Sequence, residues 1–408
     1  MRTPLIVMAV LGVALLALAF ATDDGGEERA AAAPAIAPVS VIAHRVEELR
    51  DLRFEQIPRP ERVAPEQARR EGLQELDRDY PAARRRADEE ILKLLGLIEA
   101  DTDLRELTAS LYGEGVAGYY DPRDGRLRVV TSAATGARVL AEMTLAHELT
   151  HALEDQRFEL DLERLSGSDD AALARLALVE GTATSLMSAY VNRYFTAEET
   201  LGGLVSSAFA DTGELPAFVQ AQVLFPYVGG SAFVEQLLRR AGGRWALVDT
   251  AYRFRPPAST EQILHPEAYF DADQPARVRL SLGRLLGDGW ERTAAGTWGE
   301  LQTRELLARA GGGDASEAAA GWGGDRYELW RGRSIAGSCP APCRDADVLV
   351  MRWRWDSRRD EAEFAAKLRA WARDEATRPG VAVAQRGGEV TLAIGPSASL
   401  AARLARAS

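Results

Sequence analysis

The chain has 408 residues and a formal net charge of −12 at pH 7. This acidic balance excludes a nucleic-acid-binding protein, which needs a basic face, and it suits a soluble protein outside the cytoplasm. Only two cysteines and four histidines are present, so a site built from these residue types has few candidate members.

The first 21 residues predict export. One arginine is followed by an uncharged apolar run from Pro4 to Ala21, which ends in the small-x-small cleavage pattern Ala19-Phe20-Ala21. A run of about 18 apolar residues also just crosses a bilayer, so an uncleaved N-terminal anchor is the alternative. The sequence predicts a secreted or periplasmic protein whose membrane contact, if any, is this anchor, because no other stretch approaches transmembrane length.

Composition divides the rest of the chain into a tether and two modules. Residues 22–43 are rich in alanine and proline, which is typical of a flexible tether. Residues 44–275 are the predicted main domain, and the part as far as Leu111 has the apolar spacing of helices interrupted by prolines. Two β-prone runs then flank the turn sequence DPRDG and predict a hairpin.

Residues 276–408 are the predicted second module. Its first stretch, residues 280–312, is predicted to pack as helices. Strands are predicted over residues 326–332, 347–355, 380–385 and 389–395, with an amphipathic helix over 358–376. The predicted fold class is α+β: a mainly helical domain with a small antiparallel sheet, and a small C-terminal sheet with a helix on one face.

Cys339 and Cys343 lie in the sequence CPAPC. In an oxidising compartment a disulfide is the default for such a pair. Two thiolates with no histidine nearby are too few for a structural zinc site. The sequence therefore predicts a local disulfide.

The sequence TLAHELTHALEDQ, residues 144–156, contains the pattern HExxH. A helix is predicted from Thr135 to Gln156, which puts His147 and His151 on one face, where both imidazoles can reach one metal ion. Glu148 is offset by about 100° around the axis, so its carboxylate can contact a water molecule at that ion without binding the metal. Two ordinary helix histidines are the alternative interpretation.

A catalytic zinc takes three protein ligands, and the third must be a carboxylate because no other histidine lies near. Glu180 is the candidate, in a second predicted helix that Ser168 caps. Its neighbours are apolar, and a charge among them is costly unless it is paired or bound to metal. Gly181 weakens the helix at this point, which indicates the close approach of another backbone or of a substrate.

Other assignments remain open for the third ligand. An ion pair with Arg175 or Arg193 is the alternative role for Glu180. The other acids that could complete a metal site are Asp155, Glu163 and Asp169.

A hairpin, an HExxH helix and a glutamate 29 positions after the second histidine resemble the gluzincin branch of the zincin metallopeptidases. The order of GYYDPRDG, AHELTHALEDQ, EGTAT, STEQILHP and GWGGDRY is also similar to a group of uncharacterised bacterial envelope proteins classed as zinc metallopeptidases. The likeness is specific over residues 116–190. It implies a zincin-like fold for residues 44–275.

The resemblance also implies roles for the site residues. His147, His151 and Glu180 would bind one Zn²⁺ per chain, and Glu148 would be the general base. The run from Leu127 to Thr131 would be the edge strand that holds a peptide or protein substrate by strand addition.

One position departs from the family pattern. Many gluzincins have an acid four residues after the third ligand, where it orients a histidine, and this chain has Thr184 there. Asp155 or a backbone carbonyl is the expected replacement.

The resemblance further implies a second electrophile for the developing oxyanion, supplied by a histidine or tyrosine downstream of the third ligand. His265 is the candidate, with Tyr269 and Tyr227 behind it. A structural hydrogen bond is the alternative role for a loop histidine that precedes a proline.

The predicted function is zinc-dependent hydrolysis of peptide bonds, in which Glu148 takes a proton from water and delivers it to the leaving amine. One alternative is an envelope binding or scaffold protein of zincin shape, with little or no catalysis. Another is an enzyme kept latent by its N-terminal helices, with the same site.

Overall fold

The structure is a computed structural model that describes residues 36–110, 118–130, 138–160, 168–197, 199–200, 215–309, 314–333, 339, 342–343, 345–374 and 380–407. The predicted export signal at residues 1–21 and most of the predicted tether lie outside these ranges. The described residues mix helices with two small sheets, which confirms the α+β class.

Helices dominate the first two thirds of the chain. They are α1 (Val39–Arg50), α2 (Pro65–Asp79), α3 (Ala82–Leu94), α4 (Leu104–Ser110), α5 (Arg138–Phe158), α6 (Asp169–Tyr194), α7 (Ala217–Arg240), α8 (Ala246–Arg253), α9 (Thr260–Leu264) and α10 (Pro266–Phe270). The three long helices α5, α6 and α7 are buried along much of their length and form the centre of this part.

The predicted tether ends earlier than residue 43. Helix α1 begins at Val39, and Ile42, Ala43 and Val46 are buried at helical spacing in the core beside α5 and α6. The backbone N–H of Ala37 also donates to Glu142 of α5. The tether prediction is therefore wrong for residues 39–43, because their apolar face has a partner to pack against.

A three-stranded sheet lies beside α5. Its strands are β1 (Pro60–Val63), β2 (Gly118–Asp121) and β3 (Arg126–Val130), in the order β1-β3-β2. β2 and β3 form the predicted antiparallel hairpin. β1 pairs in parallel with β3 and was not predicted, because prolines surround it; Pro60 is its first residue, where a missing N–H is tolerated.

The sheet order corrects one expectation. The run Leu127–Thr131 was predicted to be the edge strand, but β3 has a neighbour on each side and is the central strand. Thr131 lies outside the described residues. The edge strand that contacts α5 most closely is β2, one strand earlier in the chain.

The second module is a five-stranded antiparallel sheet with helices. Its strands are β4 (Trp290–Gly296), β5 (Trp322–Gly332), β6 (Asp347–Trp355), β7 (Val381–Arg386) and β8 (Glu389–Ile394), in the order β4-β5-β6-β8-β7. The helices are α11 (Gly283–Leu286), α12 (Gly299–Arg309), α13 (Ala315–Ala319), α14 (Arg358–Asp374) and α15 (Ala398–Ala407). Cys339 and Cys343 form the predicted disulfide.

Two predictions for this module were wrong. Residues 290–296 were expected to be helical but form β4, after a helix end at Gly287, whose φ is +77°. A helix was expected on one face only, yet α14 packs on one face of the sheet and α15 on the other. The side chains of β6 explain this, because Trp353 is buried with α14 and Val350 is buried with α15.

The predicted boundary at residues 275/276 is crossed by the largest hydrophobic core. This core joins Leu76 of α2 and Tyr227 of α7 to Trp298, Tyr327 and Trp353 of the second module. The two modules therefore pack through a shared apolar interior.

Helix α7 is long and apolar enough to span a membrane by length and composition, so the N-terminal run is not the one stretch with that property. In the most apolar 18-residue stretch of this helix, 56% of the stretch is buried inside the protein. Phe233, Val234 and Leu237 are fully buried there, so the apolar character of α7 serves internal packing.

Candidate metal centre

Helix α5 carries the HExxH residues into the interior. His147, Glu148 and His151 are all buried, and His147 is 4% exposed. Leu145, Leu149 and Leu153 pack in the core that α1 and α6 share with α5. The predicted helix is confirmed from residue 138 onward, whereas residues 135–137 lie outside the described ranges.

Helix α6 brings Glu180 to the same place. Its N-cap is Ser168, as predicted, whose side chain accepts a hydrogen bond from the N–H of Ala171. Glu180 lies in mid-helix and is 1% exposed.

Gly181 explains how α6 and α7 come so close beside Glu180. A Cβ at Gly181 would lie 2.2 Å from the carbonyl carbon of Gly230 in α7, and a Cβ at Gly230 would lie 2.0 Å from the carbonyl oxygen of Ala177. The two helix backbones therefore touch. Of the two causes inferred for Gly181, the approach of another backbone is the one observed.

Three ligand atoms from these helices meet at one point. His147 Nε2 lies 3.0 Å from His151 Nε2 and 3.2 Å from Glu180 Oε2, and His151 Nε2 lies 3.5 Å from the same oxygen. Ligands about 2.0–2.1 Å from a tetrahedral zinc ion stand about 3.3 Å from one another. The spacing of the three atoms fits one such ion.

The alternatives for Glu180 and for the third ligand have other partners. Among the described residues, the ion pairs recorded for Glu180 are those with His147 and His151. Asp155 accepts hydrogen bonds from the Tyr120 hydroxyl and the N–H of Leu160. Asp169 pairs with Arg84. Glu163 lies outside the described residues.

The group is strongly polarised electrostatically. Burial disfavours a charge on Glu180, but His151 and His147 outweigh it and lower the pKa of Glu180 to about 2. Burial also disfavours a charge on His151, but Glu180 outweighs it and raises the pKa of His151 to about 9. Burial lowers the pKa of His147. The group thus has one carboxylate and one ring that retains its proton at neutral pH.

The other nitrogen of each ring differs from the usual metal-ligand arrangement. A metal-bound histidine usually donates its second N–H to a carboxylate or carbonyl. Within the described ranges, neither His147 Nδ1 nor His151 Nδ1 has a hydrogen-bond partner, and Thr184 Oγ1 is also buried without one. Asp155 does not take the orienting role expected of it. The rings instead pack edge to face, with centroids 4.7 Å apart.

Glu148 is fixed from the other side by β2. Its Oε2 accepts a hydrogen bond of 2.8 Å from the backbone N–H of Tyr120. Burial raises the pKa of Glu148 to about 8, although His151 and the Tyr120 N–H act against the shift. Sequence reasoning missed this anchor; the one signal for it was the hairpin that directly precedes the HExxH helix.

The three candidates for a second electrophile are in different places. The ring of Tyr227 lies 6.3 Å from the ring of His147, which brings this tyrosine to the group. His265 Nε2 bonds to Glu300 Oε1 at 2.8 Å, and its side chain is 47% exposed. The Tyr269 hydroxyl donates to the carbonyl of Arg255. The hydrogen-bond partners described for His265 and Tyr269 are therefore not residues of the metal-ligand group.

Comparison with known protein families gives a match to part of the second module. A family model described as a domain of unknown function (DUF8575) matches residues 284–405. No curated protein and no solved structure matches the chain. The matched segment contains none of His147, Glu148, His151 and Glu180, so the match concerns the second module and not the metal-ligand group.

Proposed function

We propose that this protein is a zinc-dependent peptidase of the gluzincin type. The observation that carries the proposal is the convergence of His147, His151 and Glu180, whose three buried ligand atoms lie within 3.0–3.5 Å of one another. A purely structural site has no use for a fixed acid beside the ligands, and Glu148 is such an acid.

The donor set suits zinc, which accepts two imidazoles and one carboxylate in catalytic sites. When held there, zinc would supply Lewis-acid chemistry that makes water a nucleophile at neutral pH and polarises a carbonyl group. Binding requires neutral imidazoles, so His151 must give up its proton.

Glu148 would handle the protons of the reaction. Its carboxylate takes one proton as a water oxygen bonds to the peptide carbonyl carbon, and it delivers that proton to the nitrogen as the C–N bond breaks. Burial disfavours the charged form of Glu148 and raises its pKa, which favours the return of the proton, while the positive charge of a bound metal ion would favour the carboxylate that accepts it. The bond from Tyr120 keeps the carboxylate in one direction.

Strand β2 and Tyr227 would bind the substrate. β2 is the edge strand beside Glu148, so an extended peptide can add to the sheet next to the carboxylate. Tyr227 is the best placed of the three candidate electrophiles to donate to an oxyanion, because its ring is the one beside His147.

The second candidate function is an envelope binding or scaffold protein that retains the shape of a zincin. The lack of a described partner for His147 Nδ1 and His151 Nδ1 favours it, because poorly oriented ligands weaken metal binding and catalysis.

The disulfide between Cys339 and Cys343 is compatible with an oxidising compartment. Together with the apolar run from Pro4 to Ala21, it supports a secreted or periplasmic location, with that run as the signal or the anchor.

Proteolysis by zinc-loaded wild type and Glu148→Gln tests the function. The variant should keep about one zinc per chain and lose at least about a thousandfold in peptide hydrolysis, because the proton carrier is gone. Glu267→Gln, which changes an exposed glutamate, is the matched control and should keep full activity. Activity that persists in Glu148→Gln would exclude the mechanism, and a zinc-loaded wild type without activity would favour the scaffold.

A further inference from the structure

A second group of acids lies far along the chain from the HExxH helix. One carboxylate oxygen from each of Glu261, Asp273 and Asp356 lies within 4.8 Å of the other two. Glu261 is in α9, Asp273 follows α10, and Asp356 directly follows β6. Three separate segments therefore direct like charges at one point.

Glu261 makes this group unusual. It is 5% exposed, and within the described residues its side chain forms no hydrogen bond or ion pair. Burial of a carboxylate without a partner is costly, so such groups are normally paired or bound to a cation. Asp273 and Asp356 are exposed and give the point access to solvent.

A fourth acid adds to the negative charge. Glu300 is 2% exposed, and its Oε2 has no hydrogen-bond partner among the described residues, while its Oε1 bonds to His265. Arg304, at the following turn of α12, pairs with Glu305. No arginine or lysine of the described ranges pairs with Glu261, Asp273 or Asp356, whereas Glu300 has counter-charges in His265 and Arg304.

The backbone holds the three segments in place. The N–H of Ala276 donates to the carbonyl of Gly323 at 2.6 Å, and the N–H of Asp356 donates to the carbonyl of Gly321 at 3.0 Å. The side chain of Gln262 donates to the carbonyl of Asp273. These bonds fix the acids relative to one another before any ligand arrives, which reduces the entropy lost on binding.

The chemistry selects the ligand. Oxygen-only groups with several carboxylates suit hard cations, and Ca²⁺ takes 6–8 oxygens at about 2.3–2.6 Å, so its ligands stand up to about 5 Å apart. A shared proton is the competing way to relieve the repulsion: burial, with the charges of Glu300 and Asp356, raises the pKa of Glu261 to about 8.

We propose that Glu261, Asp273 and Asp356 bind a calcium ion, with water completing the coordination. The ion would join α9 and the loop after α10 to the end of β6, which lies in the segment that the family model matches. It would thereby hold the helical part of the chain to the sheet module. This site is separate from the proposed zinc centre and does not depend on it.

Calorimetric titration of the purified chain with Ca²⁺, in buffer freed of other divalent cations, tests the proposal. About one Ca²⁺ should bind per chain with a Kd on the order of 0.1–1 mM, the range of extracellular calcium modules. At 5 mM Ca²⁺ the Tm should rise by about 2 °C, and Mg²⁺ at the same concentration should do less.

Variants locate the ion. Asp273→Asn and Asp356→Asn change exposed acids, so they should fold, and each should weaken Ca²⁺ binding at least tenfold. Asp271→Asn, two residues from Asp273, is the matched control and should bind as the wild type does. No Ca²⁺ binding by the wild type, or equal weakening in Asp271→Asn, would overturn the proposal. If the wild type does not bind Ca²⁺ and Glu261→Gln is more stable than the wild type, the acids share a proton instead of an ion, and the proposal is wrong.

Glu180→Ala separates this test from that of the zinc centre. The variant should bind Ca²⁺ as the wild type does, because Glu180 is not part of the acidic group. If both Ca²⁺ binding and zinc binding fell in Glu180→Ala, the claim of a separate calcium site would be wrong.

Discussion

The two groups of potential metal ligands in this chain differ in chemistry and in support. The group of His147, His151 and Glu180 combines nitrogen with oxygen, is buried, and is spaced at 3.0–3.5 Å on long helices. The group of Glu261, Asp273 and Asp356 is all oxygen, is partly exposed, and is spread over up to 4.8 Å on a short helix and two loops.

The difference shows that the secondary structure that holds a metal site is matched to the type of ligand atom and to the size of the ion. A small ion with four ligands needs short, fixed distances, which helices in backbone contact provide. A larger ion with many water ligands tolerates looser spacing at a surface. The two groups are therefore expected to bind different ions.

Loosening the helix contact beside Glu180 should have the largest effect. In Gly181→Ala the new methyl group meets the backbone of Gly230, which cannot move aside as a side chain can. We expect the free energy of unfolding to fall by about 3 kcal/mol, measured by urea denaturation. Gly229→Ala, whose methyl group first meets the ring of Phe225, is the control and should cost less than Gly181→Ala, because a side chain can shift more easily than a backbone and alanine favours a helix. Equal losses would mean that the α6–α7 contact is not rigid.

The pH dependence of zinc binding tests the chemistry of the group that contains the two histidines. Because the pKa of His151 is raised to about 9, its ring is protonated at lower pH, and zinc must displace that proton. The apparent zinc affinity should therefore fall about tenfold per pH unit, or about 100-fold between pH 8 and pH 6. Competition with a chromogenic chelator measures it. A flat profile would show that no histidine proton is displaced.

Removal of the hydroxyl of Tyr227, whose ring lies beside that of His147, should have a smaller effect. In Tyr227→Phe we expect kcat for peptide hydrolysis to fall about tenfold to 100-fold while KM changes little, because the donor acts on the transition state. Tyr269→Phe removes a hydroxyl that bonds to the carbonyl of Arg255 and is the control. If Tyr269→Phe lowers kcat as much as Tyr227→Phe, the assignment of Tyr227 fails.

Local patterns in the sequence were sufficient for part of this structure. The spacing of His147 and His151 and the cap at Ser168 are local features, and the structure confirms the helices they predict. Gly181 was predicted to mark the close approach of another backbone or of a substrate, and the backbone of Gly230 is what lies there. The turn at DPRDG likewise predicted the β2–β3 hairpin.

The remaining features depend on contacts between distant residues. β1 pairs with β3, which lies more than 60 residues later in the chain, and the prolines around β1 argued locally against a strand. Because β1 was not predicted, β3 was wrongly expected to be the edge strand. The bond from Tyr120 to Glu148 and the placement of Tyr227 beside His147 depend on how whole elements pack. The acidic group at Glu261 joins residues about 95 positions apart, which no periodicity can reveal.

Elemental analysis of the purified mature chain tests the central claim most directly. Wild type, Glu180→Ala and Asp273→Asn are supplied with zinc, checked for folding by circular dichroism, and compared. We expect about one zinc per chain in the wild type and in Asp273→Asn, and little in Glu180→Ala. Equal zinc in all three proteins, or little zinc in a folded wild type, would contradict the assignment of His147, His151 and Glu180 as the zinc centre.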